Sequence, residues 1–100
     1  MNMQQMIMPA QKMKRELEKA KAALAEQEFE VSKGGAVKVV VLGNKTVKAV
    51  EIDDDAFNKD DKDMIQDMIA MAINEAIEKI DTAEEEINER ITGSSNGMGF

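Results

Sequence analysis

The sequence predicts an α+β fold: a long helix, a three-stranded antiparallel meander and a second long helix. Three observations predict it. Apolar residues near the N-terminus recur at alternating steps of three and four. The middle of the chain alternates polar and apolar residues between short turn signals. The last third returns to the helical period.

Met3, Met6, Ala10, Met13, Leu17, Ala20 and Leu24 form the first stripe, separated by good helix formers. Pro9 belongs in a first turn, so the regular helix is expected to begin near Met8 or Pro9, with the preceding residues frayed or in a kinked extra turn. It should end near Glu26 to Glu28.

The period then changes to two. Glu28 to Lys33 reads as a half-buried strand, and Gly34-Gly35 as a tight turn. From Ala36 to Leu42, Val37, Val39 and Val41 share one face, while Lys38, Val40 and Leu42 share the other. Gly43-Asn44 supplies a second turn, both residues tolerating positive φ. The third strand runs from Thr46 to Ile52, with Thr46, Lys48, Val50 and Ile52 on one face and Val47, Ala49 and Glu51 on the other.

An acidic connection follows from Asp53 to Asp61. Phe57 is expected as a plug beneath the coming helix, and Asp60 or Asp61 as its N-cap. Ile65, Ile69, Ala72, Ala76, Ile80, Ala83, Ile87 and Ile91 then mark a helix of about thirty residues, roughly 45 Å long. Met64, Met68 and Met71 widen its apolar face. Gly93 should end it. Residues 1–92 read as one domain, with 93–100 a flexible Gly/Ser tail.

Strands of about seven residues span only ~23 Å. Neither helix can bury its whole stripe on so short a sheet, so the excess should pack on the other helix or on a second copy. The core itself is soft, with nine Met, three Phe and no Trp or Tyr. These features predict a homodimer, intertwined or paired through sheet or helices.

The chain has no Cys and no His, which removes thiol nucleophiles, disulfides, Cys/His zinc sites and the usual neutral-pH base. No enzymatic constellation is predicted: no catalytic residue, no metal, no cofactor and no small-molecule substrate. No signal peptide or membrane-spanning run is read, so a cytoplasmic location and no membrane partner are expected. The net charge of −7 is uneven: residues 1–33 carry net +1, residues 34–58 net −1 and residues 59–100 net −7. The acidity thus belongs to the last segment.

Lys12, Lys14, Arg15, Lys19 and Lys21 are the one cationic concentration, able to meet phosphates. The plainer reading is a solvated helix face paired with Glu16, Glu18 and Glu26. No aromatic residue is interleaved, so base stacking is not expected. Lys38, Lys45 and Lys48 either widen a basic surface or blunt a strand edge. The aspartates from 53 to 63 lack the EF-hand spacing and read as a solvated turn. The Gly34-Gly35 pair is a hairpin, since no helix follows it. The methionine stripe reads as core and dimer packing, or as an adaptable partner surface.

Ala10-Gln11-Lys12-Met13, Gly34-Gly35-Ala36-Val37-Lys38-Val39, Gly43, Val50-Glu51-Ile52-Asp53, Asp60-Asp61-Lys62-Asp63-Met64, the run Ile69–Ala76 and Gly97-Met98-Gly99 together resemble the YbaB/EbfC family of bacterial nucleoid-associated proteins. The resemblance covers nearly the whole chain. It departs at Pro9, inside usually uninterrupted helix, and at Asp54-Asp55, where relatives often turn at proline. The resemblance implies a homodimer with protruding helices that binds double-stranded DNA and associates with the nucleoid. With no zinc-finger spacing, helix-turn-helix pair or RNA-binding aromatic motif in the chain, such binding is expected to have little sequence selectivity and to affect nucleoid organisation and gene expression. The alternative is a non-enzymatic dimeric scaffold whose acidic helix recruits basic proteins.

Overall fold

The computed structural model describes the backbone of residues 3–93 and the side chains of residues 9–93. Helix α1 spans Met3–Glu26, strands β1 Glu28–Lys33, β2 Val37–Leu42 and β3 Val47–Ile52, and helix α2 Lys62–Thr92. The expected glycine-rich tail and the side chains of Met3 and Met6 lie outside the described residues.

The strands form one antiparallel sheet in the order β1-β2-β3. Gly34 and Gly35 close the first hairpin with φ of 56° and 68°. Two consecutive left-handed residues match the twist of the flanking strands, and glycine adopts them without a Cβ clash.

Val37, Val39 and Val41 point to the face on which α2 lies, with exposures of 2%, 0% and 0%. Opposing them are Ile65, Ala72, Ala76 and Ile80 from α2, all buried. The two alanines let the helix backbone approach the valines closely. Each buried Val or Ile contributes roughly 1.5–3 kcal/mol by leaving water. Gly93, with φ 96°, ends α2 and donates its N–H to the Glu89 carbonyl, as its place in the sequence predicts.

Four local expectations are corrected. First, α1 begins at Met3 and runs through Pro9. The proline ring fixes a φ compatible with helix, and its missing N–H and its crowding of the carbonyl four residues back are both borne within the helix. Second, β3 carries a bulge: Val40 pairs with Ala49, but Val41 pairs with Val47. Lys48 is the extra residue. The irregularity brings Val47 onto the helix-facing side with Val50 and Ile52, where strict alternation puts it on the opposite face.

Third, the positive φ of the second turn falls on Lys45, at 69°, and on neither Gly43 nor Asn44. Asn44 Oδ1 instead accepts the Thr46 N–H at 2.9 Å. Fourth, Phe57 is 72% exposed rather than a plug, and Ala56 takes the inward position. The short 3-10 turn Asp54–Ala56, capped by the Asp53 carboxylate, swings the next residue outward. Asp61 holds the N-cap position of α2, as the sequence predicts, although without a side-chain cap bond. Asn58 engages its carboxylate and accepts its N–H, closing the preceding turn Lys59–Asp61.

Candidate nucleic-acid interface

α2 is longer than the sheet, and its sheet-distal half packs antiparallel against the C-terminal half of α1. Ala20, Ala23 and Leu24 face Ala83, Ile87 and Arg90 across a shallow gap of about 320 Å³. Leu24 and Ile87 are buried, while Leu17 and Ala20 are half-buried. Nearer the N-terminus the stripe loses its partner: Met13 is 37% exposed and Ala10 is exposed. The resulting arm gives the molecule a length of 71 Å.

One close contact joins the arm to the sheet. A Cβ on Gly43 would fall 1.8 Å from the Leu24 carbonyl oxygen. The Gly43 N–H also donates to the Gln27 carbonyl at 2.9 Å. Only glycine permits this approach between the second hairpin and the end of α1. The sequence marks Gly43 as a turn residue, whereas its demand here is steric.

Lys12, Lys14, Arg15, Lys19 and Lys21 are all exposed on α1. They do not form one face. At about 100° per residue, Lys12, Arg15 and Lys19 fall within roughly 60° of one another, on the side turned from α2. Lys14 and Lys21 form a second row, across the apolar stripe from Lys12 and Lys19. Among the described residues, none of the five makes an ion pair within 4.0 Å, and the expected partners Glu16, Glu18 and Glu26 engage none of them.

The sheet lysines behave differently. Lys33 pairs with Glu75 at 3.2 Å, Lys45 with Asp81 at 2.9 Å and Lys48 with Glu28 at 2.7 Å. Lys38 lies between Glu30 at 3.5 Å and Glu51 at 3.4 Å. It stands on the central strand, so it blunts no edge. The Glu30 charge, then the hydrogen bond to Glu51, hold its ammonium above the ordinary value. A hydrogen bond from Lys45 to Asp81, reinforced by the Asp81 and Glu84 charges, does the same there. The Lys33 and Lys45 pairs tie the sheet to α2, whereas the Lys38 and Lys48 pairs lie on the face remote from α2, where Glu28, Glu30 and Glu51 outnumber Lys38 and Lys48. That face attracts no polyanion.

α2 is acidic over its solvent side, with Glu78, Glu85, Glu86 and Glu89 exposed. Among the described residues no helix is long and apolar enough to cross a membrane.

Fold and charge together define a small α+β protein that projects a cationic helix from an otherwise acidic body. The model of the YbaB/EbfC DNA-binding family matches residues 1–95. A protein named "Nucleoid-associated protein" from Ruminiclostridium cellulolyticum is 38% identical over 98 residues, 97% of this chain and 85% of its own. Another so named, from Xylella fastidiosa, is 40% identical over 100 residues, 99% of this chain and 89% of its own. A crystal structure of an uncharacterized protein from Helicobacter pylori matches with a TM-score of 0.75, covering 92% of this chain and 98% of that one. At 20% identity that likeness concerns the fold alone. The chain belongs to the YbaB/EbfC DNA-binding family.

Proposed function

We propose that this protein binds the phosphate backbone of double-stranded DNA as a homodimer, through Lys12, Lys14, Arg15, Lys19 and Lys21 of the α1 arms. It would act at the nucleoid, with little sequence selectivity, and so influence DNA organisation and gene expression. The observation that carries this reading is the division of the cations. Lys33, Lys38, Lys45 and Lys48 are held by carboxylates of the same chain; among the described residues the five on α1, like Lys59, Lys62, Lys79 and Arg90, make no ion pair, and the five alone cluster on one exposed arm.

The row Lys12, Arg15 and Lys19 is about 10 Å long. A duplex carries one phosphate charge per ~1.7 Å of axis, so such a row runs beside about six of them. This row faces away from the acidic α2 and is the principal contact; Lys14 and Lys21 reach phosphates beside it. Lysine and arginine on a helix without aromatic neighbours favour backbone contact over base readout. Family membership and the names of the relatives support the same partner.

A gel-shift titration with duplex DNA at two salt concentrations tests the proposal. Retarded complexes at low salt, lost at high salt, are expected. Charge reversal at Arg15 and Lys19 should remove binding while circular dichroism stays unchanged. No shift at low salt with micromolar protein would sink the reading.

A further inference from the structure

The outer edge of β1 is unpaired in the sheet. Its pairing with β2 is regular over all six residues, whereas the other edge strand, β3, is interrupted by the bulge at Lys48. A bulge spoils an edge for further pairing, and a regular strand keeps it open. The register fixes which backbone groups are free. Gly43 donates to the Gln27 carbonyl, so by antiparallel alternation Phe29, Val31 and Lys33 bond to β2. The N–H and C=O groups of Glu28, Glu30 and Ser32 therefore point outward. Beside this edge a groove of about 550 Å³ lies between β1 and α2. Half-buried Phe29 and Ala83 give it an apolar lining. Glu75, Glu78 and Glu86 stand on its helix side against one cation, Lys79. Lys33 holds Glu75, but among the described residues Glu78 and Glu86 make no ion pair. None of the α1 cations lines the groove.

We propose that this edge and groove take up an extended, cationic segment of another protein, added to the sheet as a fourth strand beside β1. The outward groups of Glu28, Glu30 and Ser32 supply main-chain hydrogen bonds, which give such additions their affinity, and the flanking side chains give them selectivity. Successive side chains of an added strand point to opposite faces. One set enters the groove against Phe29 and Ala83, which suits apolar residues. The other set lies beside Glu28 and Glu30, on the face where carboxylates outnumber lysines, which suits Lys or Arg. The unpaired Glu78 and Glu86 at the groove add to the same attraction. Charge complementarity thus selects a basic segment that alternates with apolar residues, and it rejects nucleic acid at this flank. The clustered cations of this chain itself lie on the helix α1, which cannot add to a sheet edge, so the occupant is a different protein. The arm stays free, and the protein can hold a duplex and this partner together.

Fluorescence anisotropy with the full chain tests this, using a labelled peptide of about seven residues that alternates arginine and valine and matches the length of β1. Saturable binding at sub-millimolar protein is expected, and none at millimolar protein would overturn the proposal. Binding should slow amide hydrogen exchange at Glu30 and Ser32, whose N–H groups gain acceptors. Ser32→Pro removes one outward donor and no bond to β2, so the fold should persist while binding falls about ten-fold or more. Glu78→Lys with Glu86→Lys should weaken binding about ten-fold. Glu85→Lys with Glu89→Lys, the same change of charge outside the groove, should weaken it less. A peptide alternating arginine and proline keeps the charge but cannot pair as a strand, and it should not bind. Circular dichroism verifies folding of each variant. Equal affinity for the two peptides, or a folded Ser32→Pro that binds like wild type, would reduce the contact to charge attraction and overturn the strand site. Unslowed exchange at Glu30 and Ser32 in the bound wild type would overturn it without any variant. Duplex binding is judged separately, since none of these changes touches an α1 cation.

Discussion

If the α1 row carries the phosphate contacts, ionic strength is the sharpest perturbation, because its effect counts contacts. Lys12, Arg15 and Lys19 share one side of the helix, which gives three principal contacts per arm and six per dimer, a lower bound that Lys14 and Lys21 extend. Each neutralised phosphate contributes about −0.9 to the slope of log affinity against log salt. Six give a slope of about −5. Raising salt from about 50 to about 200 mM should then weaken binding about 10³-fold. Were all five cations of both arms engaged, the slope would approach −9 and the loss about 10⁵-fold. Fluorescence anisotropy of a labelled duplex, titrated at four or more salt concentrations, measures the slope directly. Neutralisation by Arg15→Ala with Lys19→Ala, which removes two contacts in each of two arms, should flatten it by about 3.6. Lys14→Glu with Lys21→Glu should flatten it less. A wild-type slope shallower than about −2, or a row variant with an undiminished slope, would refute the assignment of the contacts to this row.

Three further outcomes concern the scaffold. Gly43→Ala forces a Cβ into the Leu24 carbonyl, which is backbone and cannot rotate away; a loss of about 1–3 kcal/mol or more is expected, measured by urea denaturation, and an unchanged midpoint would show that the α1–sheet junction yields freely. Ile80→Ala empties a fully buried site between α2 and the sheet and should cost about 2–5 kcal/mol, lowering the melting temperature in a thermal scan by about 4–8 °C per kcal/mol. Lys38 and Lys45 are held above their ordinary 10.5 in the folded state. As pH rises the unfolded chain releases those protons first, so the stability from these pairs is complete below about pH 10.5 and is lost as pH climbs through the folded values. Denaturation midpoints on either side of pH 10.5 should fall less in Asp81→Asn than in wild type, and equal falls would refute the Lys45 pairing.

Much of the fold was legible because short-range periodicity reports burial. Val37, Val39 and Val41 alternate with Lys38 and Val40, and this period of two places them on the buried face whatever packs there. Ile65, Ala72, Ala76 and Ile80 repeat at the helical period for the same reason. Both ends of α2 carry local signals, acids before it and Gly93 after it. The candidate site was legible as composition: the cations from Lys12 to Lys21 cluster in the sequence. That they divide into two rows follows from helix geometry, but that they lack partners among the described residues while Lys33, Lys38, Lys45 and Lys48 are paired required coordinates. Glu75 is 42 residues from Lys33 and Asp81 is 36 from Lys45, and sequence patterns carry no record of such distant neighbours.

The misses share a cause. Phe57 reads as core by its chemistry, yet a capped 3-10 turn of three residues decides which of Ala56 and Phe57 points inward. Val47 reads as opposite in facing to Val50, yet one bulge residue, Lys48, reverses that. Pro9 reads as a helix start, yet one missing N–H is tolerated within a longer helix. The need for glycine at position 43 comes from Leu24, nineteen residues away. The sequence alone therefore determined the element types, their order and the apolar faces of β2 and α2, because these depend on local dihedral preference and on the periods of helix and strand. Only the tertiary structure decided that α2 covers β1 and β2 but leaves β3 open, and that the α1 cations remain unpaired among the described residues. Those outcomes depend on where one rigid element comes to rest on another, which is settled by steric fit and charge between residues far apart in the chain.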